Sequence, residues 1–167
     1  MVEDLLSRLL LRFTNLGESM SISDVVRLSF QRSIELYAEL VDELPEAALS
    51  MKLPGIPSNS IGEQIWCVVG ARESFSRAIE AGSWSGFSCS LTRDRLKEKA
   101  TVQSALAASG RQVLGVLARI DSYGDERNHL VVDLLEHEVA HHGQLIRYLL
   151  GLRLSIPAGW KAKYALD

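Results

Sequence analysis

Leu134-Leu135-Glu136-His137-Glu138-Val139-Ala140-His141-His142-Gly143-Gln144-Leu145 is the stretch whose reading decides the fold. Its apolar residues continue at Leu130 on one side and at Tyr148 and Leu152 on the other, in steps of three or four. That period belongs to an amphipathic helix with one face toward a core. His137 and His141 stand four apart, so both imidazoles project from one face and can reach one point in space. Each takes a place where leucine would be the default. An unpartnered polar ring in a core costs about 1–3 kcal/mol. A metal ion is the economical partner, and a hydrogen-bonded core pair is the alternative.

Outward from this stretch the pattern stays helical. The last long helix is expected from about Asp125 to Leu152, with Pro157 in the tail beyond it. A helix carrying Val26, Phe30, Ile34, Tyr37, Val41 and Leu44 is capped by Ser21 or Ser23 and stops before Pro45. Residues 45–59 hold three of the four prolines and read as a connection with one helical turn. Ser60-Ile61-Gly62-Glu63 is a capping box for a helix to about Ala81, closed by Gly82. After a loop holding Trp84 and Phe87, a third long helix carries Val102, Leu106, Val113, Leu117 and Ile120. Residues 1–20, with Leu5, Leu6, Leu9 and Phe13, read as a short accessory helix. No strand-like alternation of useful length occurs. The expected fold is all-α: a four-helix bundle over 21–167 with an extra N-terminal helix.

Composition narrows the function. The chain has 167 residues, a net charge of -3, 47% apolar and 23% charged residues. These values fit one globular domain. No basic block gives a nucleic-acid footprint, and no apolar run approaches a membrane span of about 18 residues. The acidic start, Met1-Val2-Glu3-Asp4, lacks the positive region of a secretory signal. Two cysteines, Cys67 and Cys89, make no disulfide framework. The expectation is a cytoplasmic protein with free thiols and a small-molecule substrate, and neither nucleic acid nor membrane as partner.

His137-Glu138-Val139-Ala140-His141 also matches the H-E-x-x-H pattern of zinc proteases, where the glutamate is a general base. The rest of the protease pattern is missing: no Glu follows Glu138, no His follows His142, and Arg147 stands where an extended motif would place a third histidine. Glu138 is therefore expected to pair with His142 at i+4 on a solvated flank of the helix. His129 is expected at the surface. A third metal ligand must come from another helix. The helix after Ser60 offers Glu63, Gln64 and Cys67; the capping box consumes Glu63, Gln64 is a weak ligand, and a Cys67 thiolate with two imidazoles suits zinc. Cys67 also reads as a small buried hydrophobe at the edge of the apolar arc.

Two motifs, in order, resemble a known family. Ser60-Ile61-Gly62-Glu63-Gln64-Ile65-Trp66-Cys67-Val68-Val69-Gly70-Ala71-Arg72-Glu73 resembles the second-helix signature of the DinB/YfiT-like superfamily. His137 followed by His141-His142-Gly143-Gln144-Leu145 resembles its last-helix signature, and Ile156-Pro157-Ala158-Gly159-Trp160 its end. The resemblance runs from about Asp24. It implies a four-helix bundle, often a homodimer, with a divalent metal on three histidines. Two of these match His137 and His141, and Cys67 stands at the third. Either Cys67 replaces that histidine as ligand or the metal is absent.

Three functions follow as alternatives. The leading one is a metal-dependent enzyme, a thiol-dependent transferase or a hydrolase, holding Zn or Ni through Cys67, His137 and His141, with Gln64, Gln144 and Tyr148 as pocket groups. Relatives that use low-molecular-weight thiols suggest such a cosubstrate. The second is a metal-free thiol enzyme with Cys67 as nucleophile and an imidazole as base. The third is a degenerate bundle acting as a binding or dimerisation module. Arg72 and Arg147 either receive an anionic substrate or form structural ion pairs.

Overall fold

The structure, a computed structural model, describes residues 20–166. The accessory helix expected over residues 1–20 lies outside them, apart from Met20. The all-α expectation holds: the described residues form α1 (Ile22–Glu43), α2 (Ile61–Ala81), α3 (Lys99–Leu117), α4 (Asp125–Gly151) and α5 (Ala158–Tyr164), with no β-strand among them. Three short 3-10 turns, Glu46–Ser50, Arg93–Arg95 and Ile120–Ser122, sit in the connections. No helix among the described residues is long and apolar enough to cross a membrane.

The helix boundaries follow local chemistry. Ser21 and Asp24 form a reciprocal capping box at α1, and Ser60 and Glu63 form another at α2. Gly82 ends α2 in the left-handed region at φ 78°, where a side chain would be strained. Pro45 lacks an N–H to continue α1, and the chain turns there.

The central element is α2, which packs against α3 and α4, while α1 packs mainly on α3 and touches α4 and α5. Arg127, near the start of α4, donates to the carbonyl of Ile79 at the end of α2. At the other end Tyr148 of α4 donates to the Asn59 carbonyl just before α2. The two helices therefore run antiparallel. The segment after α2 covers its remaining face. A Cβ on Gly70 would lie 2.2 Å from Phe87 Cζ and 3.0 Å from Cys89 Cβ, so only glycine lets this strap approach.

The interior divides into two apolar clusters. One gathers Leu40, Leu49, Ile61, Ile65, Val68, Leu145 and Trp160 around the start of α2. The other gathers Phe30, Ala71, Ile79, Val113, Leu117 and Leu134 toward its end. Between them each long helix contributes a buried polar residue: Ser33 on α1, Arg72 on α2, Ser109 on α3 and Glu138 on α4.

The tail after Pro157 is a further short helix rather than a loose end. Pro157 lies at its N-cap, where the missing N–H costs nothing. Trp160 is fully buried, and its indole N–H donates to the Leu36 carbonyl at 2.7 Å. Truncation of a buried aromatic costs about 3–5 kcal/mol. Trp160→Ala is therefore expected to lower unfolding stability by about that amount in urea titration. A loss of only a few tenths would show that α5 does not dock.

Candidate metal centre

Cys67 lies two turns into α2, and His137 and His141 lie one turn apart on α4. Because these helices pack side by side, the three residues face each other across the seam. One ligand atom from each falls within 4.8 Å of the others, so the group can hold a metal ion. Cys67 Sγ is 3.5 Å from His137 Nε2, and the two imidazole centroids are 4.5 Å apart. His141 is buried, whereas Cys67 and His137 are half-buried. The cluster thus sits at the edge of the core. Burial, followed by the neighbouring His137 ring, pushes His141 down to about 4. Burial also lowers His137 and raises the Cys67 thiol. Both imidazoles are neutral near pH 7, the form that binds metal.

The residues present fit a cation by the chemistry of their donor set: one thiol and two imidazoles suit zinc.

Glu138 occupies a different environment from the solvated flank expected of it. Val131, Leu134, Glu138, His141, Leu145 and Tyr148 follow alternating steps of three and four, and all are buried. Glu138 is at the middle of the core stripe, and His137 is beside it. Arg72 holds the same kind of core position on α2, in line with Ile65, Val68 and Ile79. Both are fully buried, and they meet as a bidentate ion pair: Nε to Oε1 at 2.6 Å and Nη2 to Oε2 at 2.8 Å. Burial alone would raise the Glu138 carboxyl, but the charge and hydrogen bonds of Arg72, with the Ser33 hydroxyl, hold it below the ordinary range. Arg72 also lies 5.0 Å over the Tyr37 ring.

His142 is buried as well, and it reaches Glu138 through Ser33. The hydrogen-bond directions fix its tautomer. Ser33 donates to Glu138, so the His142 Nε2–H donates to Ser33 Oγ at 3.0 Å. Nδ1 is left to accept from the Tyr164 hydroxyl at 2.5 Å. Burial pushes His142 down to about 4, in keeping with a neutral ring. Every proton in this chain points toward the carboxylate. Both Glu138 oxygens are committed to Arg72 and Ser33, so Glu138 is not free to act as a general base.

Gln64, Gln144 and Tyr148 line one cleft of about 590 Å³, together with Arg147 and the connection from Leu53 to Asn59. The cleft begins one turn from Cys67 on α2 and one turn from His141 on α4. The Tyr148 proton is already donated to Asn59, at 2.6 Å. Cys89 lies against α2, with its thiol 3.5 Å from the Trp66 carbonyl, and His129 is exposed. Ser33, Tyr37 and Tyr164 are the polar partners that sequence reading missed. The available signal was a charge of each sign in the core register of two different helices.

Comparison of the chain with protein-family models, with curated proteins and with solved structures finds no match in any of the three.

Removing one partner of a buried ion pair leaves the other uncompensated, at about 3–5 kcal/mol. Glu138→Leu is expected to destabilise the fold by that order, and Glu138→Leu with Arg72→Met to recover most of it. Urea unfolding of the three proteins checks this. A folded, fully stable single variant would contradict the structural role.

Proposed function

We propose that the chain is a metal-dependent enzyme with the four-helix-bundle architecture of the DinB/YfiT-like superfamily, acting on a small molecule as a transferase or hydrolase. The observation that carries this reading is the convergence of Cys67, His137 and His141, with all three ligand atoms within 4.8 Å of one another. The motifs around Cys67 and His141 support the family assignment. In this reading Cys67 takes the place of the third family histidine as a ligand. A bound zinc or nickel ion would act as a Lewis acid and lower the pKa of a coordinated water or thiol.

The chain's own residues would do the rest. His137 and His141, neutral near pH 7, present lone pairs without prior loss of a proton. The packed faces of α2 and α4 fix the spacing of the donors, so little ordering is required when the cation binds. The Arg72–Glu138 pair sets the axial position of α4 against α2, and hence of His141 against Cys67. Gln64 and Gln144 offer amide groups beside the site. The same reading carries a cytoplasmic homodimer, which light scattering of the purified protein would check.

A second reading rests on the 3.5 Å approach of Cys67 Sγ to His137 Nε2. It makes Cys67 a nucleophile with an imidazole base and no metal. Burial raises this thiol instead of lowering it, which weighs against an activated thiolate. Chelation separates the two: the metal enzyme loses activity with chelator, and the thiol enzyme loses it only on alkylation.

Elemental analysis of protein purified without added metal is expected to show one equivalent of metal per chain. His141→Ala should abolish binding, and Cys67→Ala should weaken it by about tenfold or more. With cobalt as probe, wild type should show a near-ultraviolet thiolate charge-transfer band that Cys67→Ala lacks. Unchanged affinity in Cys67→Ala would remove the thiol from the coordination set. Metal-free native protein that does not take up zinc would end the metal reading.

A further inference from the structure

The cleft beside the cluster has features that the metal reading leaves unused. It measures about 590 Å³, within the range of small-molecule sites. One wall is the connection before α2, which is tightly tied. Lys52 and Ser60 form an antiparallel bridge, the Leu53 N–H donates to Ser58 Oγ at 2.9 Å, and Tyr148 holds the Asn59 carbonyl. This wall presents Leu53, Ile56 and Pro57 to the cleft. The opposite wall is the seam of α2 and α4.

Two polar groups there have no partner among the described residues. Gln64 is more than nine-tenths buried and lines the cleft, and its Oε1, closed to solvent, has no hydrogen-bond partner among the described residues. A buried amide left unpaired costs about 1–3 kcal/mol. Arg147 is exposed at the cleft and forms no ion pair among the described residues. The site therefore combines an apolar wall with an amide and a guanidinium that have no partner among the described residues. The complement is a molecule with an aliphatic body, an amide and a carboxylate.

We propose that this cleft binds small amide-bearing carboxylates of the N-acyl amino acid type. Arg147 takes the carboxylate, the Gln64 amide pairs with the ligand amide, and Leu53, Ile56 and Pro57 cover the aliphatic part. Amide pairs with amide whichever way the Gln64 head group is turned, since each offers both a donor and an acceptor. A guanidinium recognises a carboxylate through two parallel hydrogen bonds. The cleft starts one turn, about 4.5 Å of helix axis, from Cys67 and His141. The further step from binding to reaction rests on the metal reading; the binding itself does not.

The test uses N-acetyl-L-leucine and its neutral analogue N-acetyl-L-leucinamide as probes. Each is titrated into isotope-labelled full-length protein stripped of metal with chelator, and again into zinc-loaded protein, with binding followed by amide and side-chain NMR shifts. The acid is expected to shift the Gln64 side-chain amide and residues 53–59, and to bind about tenfold more tightly than the amide analogue. Arg147→Gln should erase that preference while leaving the rest of the spectrum native. Gln64→Leu should weaken both probes by about tenfold. Arg147 is exposed, so its variant is expected to fold; a native spectrum verifies this for both variants. Equal affinity for the two probes, shifts confined to other surfaces, or no saturable binding would overturn the proposal. Metal content decides the metal reading separately, so either can fail alone.

Discussion

The Arg72–Glu138 ion pair is the constraint on which the rest of the molecule depends. Two full charges lie in the middle of the interior with no exposure to water. Such a pair adds little net stability over an apolar replacement, because desolvation offsets most of the attraction. Its effect is on alignment. The two charges must meet for either to be tolerated, so α2 and α4 have one permitted axial register. The pair lies between the two apolar clusters, and Ser33 and Ser109 extend the same polar layer to α1 and α3.

That register fixes the candidate metal centre. His137 and His141 flank Glu138 on α4, and Cys67 precedes Arg72 on α2. Sliding one helix by a single turn would separate the sulfur from the imidazoles by about 5 Å along the axis. The charged layer is deep, and the ligand cluster is at its margin. This division suits both: the ion pair needs exclusion of water, while an open coordination position needs access from outside. The same seam then continues to the cleft at Gln64 and Arg147, so ligand donors and the candidate binding wall share two rigid helices.

The C-terminal segment belongs to this system. Trp160 seals the cluster near the start of α2, and Tyr164 ends the hydrogen-bond chain that runs through His142 and Ser33 to Glu138. A seven-residue helix is too short to hold itself in water. It is held by the Trp160 anchor, the Tyr164 hydroxyl and the Gly159 N–H, which donates to the Glu39 carboxylate, and periodicity alone marks none of them.

The amino-acid sequence determined the elements, because caps, prolines and three-to-four spacing act over a few residues. Ser60 with Glu63, Gly82 and Pro45 place helix ends by local hydrogen bonding and backbone geometry. It also named Cys67, His137 and His141 by ligand chemistry and helical face. It misplaced Glu138 and His142, since the histidine motif drew the stripe through His137 and set both residues on a solvated flank. Core register already put Glu138 in line with Leu134 and Leu145, yet burial of a carboxylate is tolerable only when a cation arrives from elsewhere. That partner, Arg72, is 66 positions away. Tertiary packing alone decided which charge faces which, that the His142 tautomer points inward through Ser33, and that one thiol and two imidazoles from two helices lie within 4.8 Å of one another, because each depends on the distance between helices and not on order along the chain.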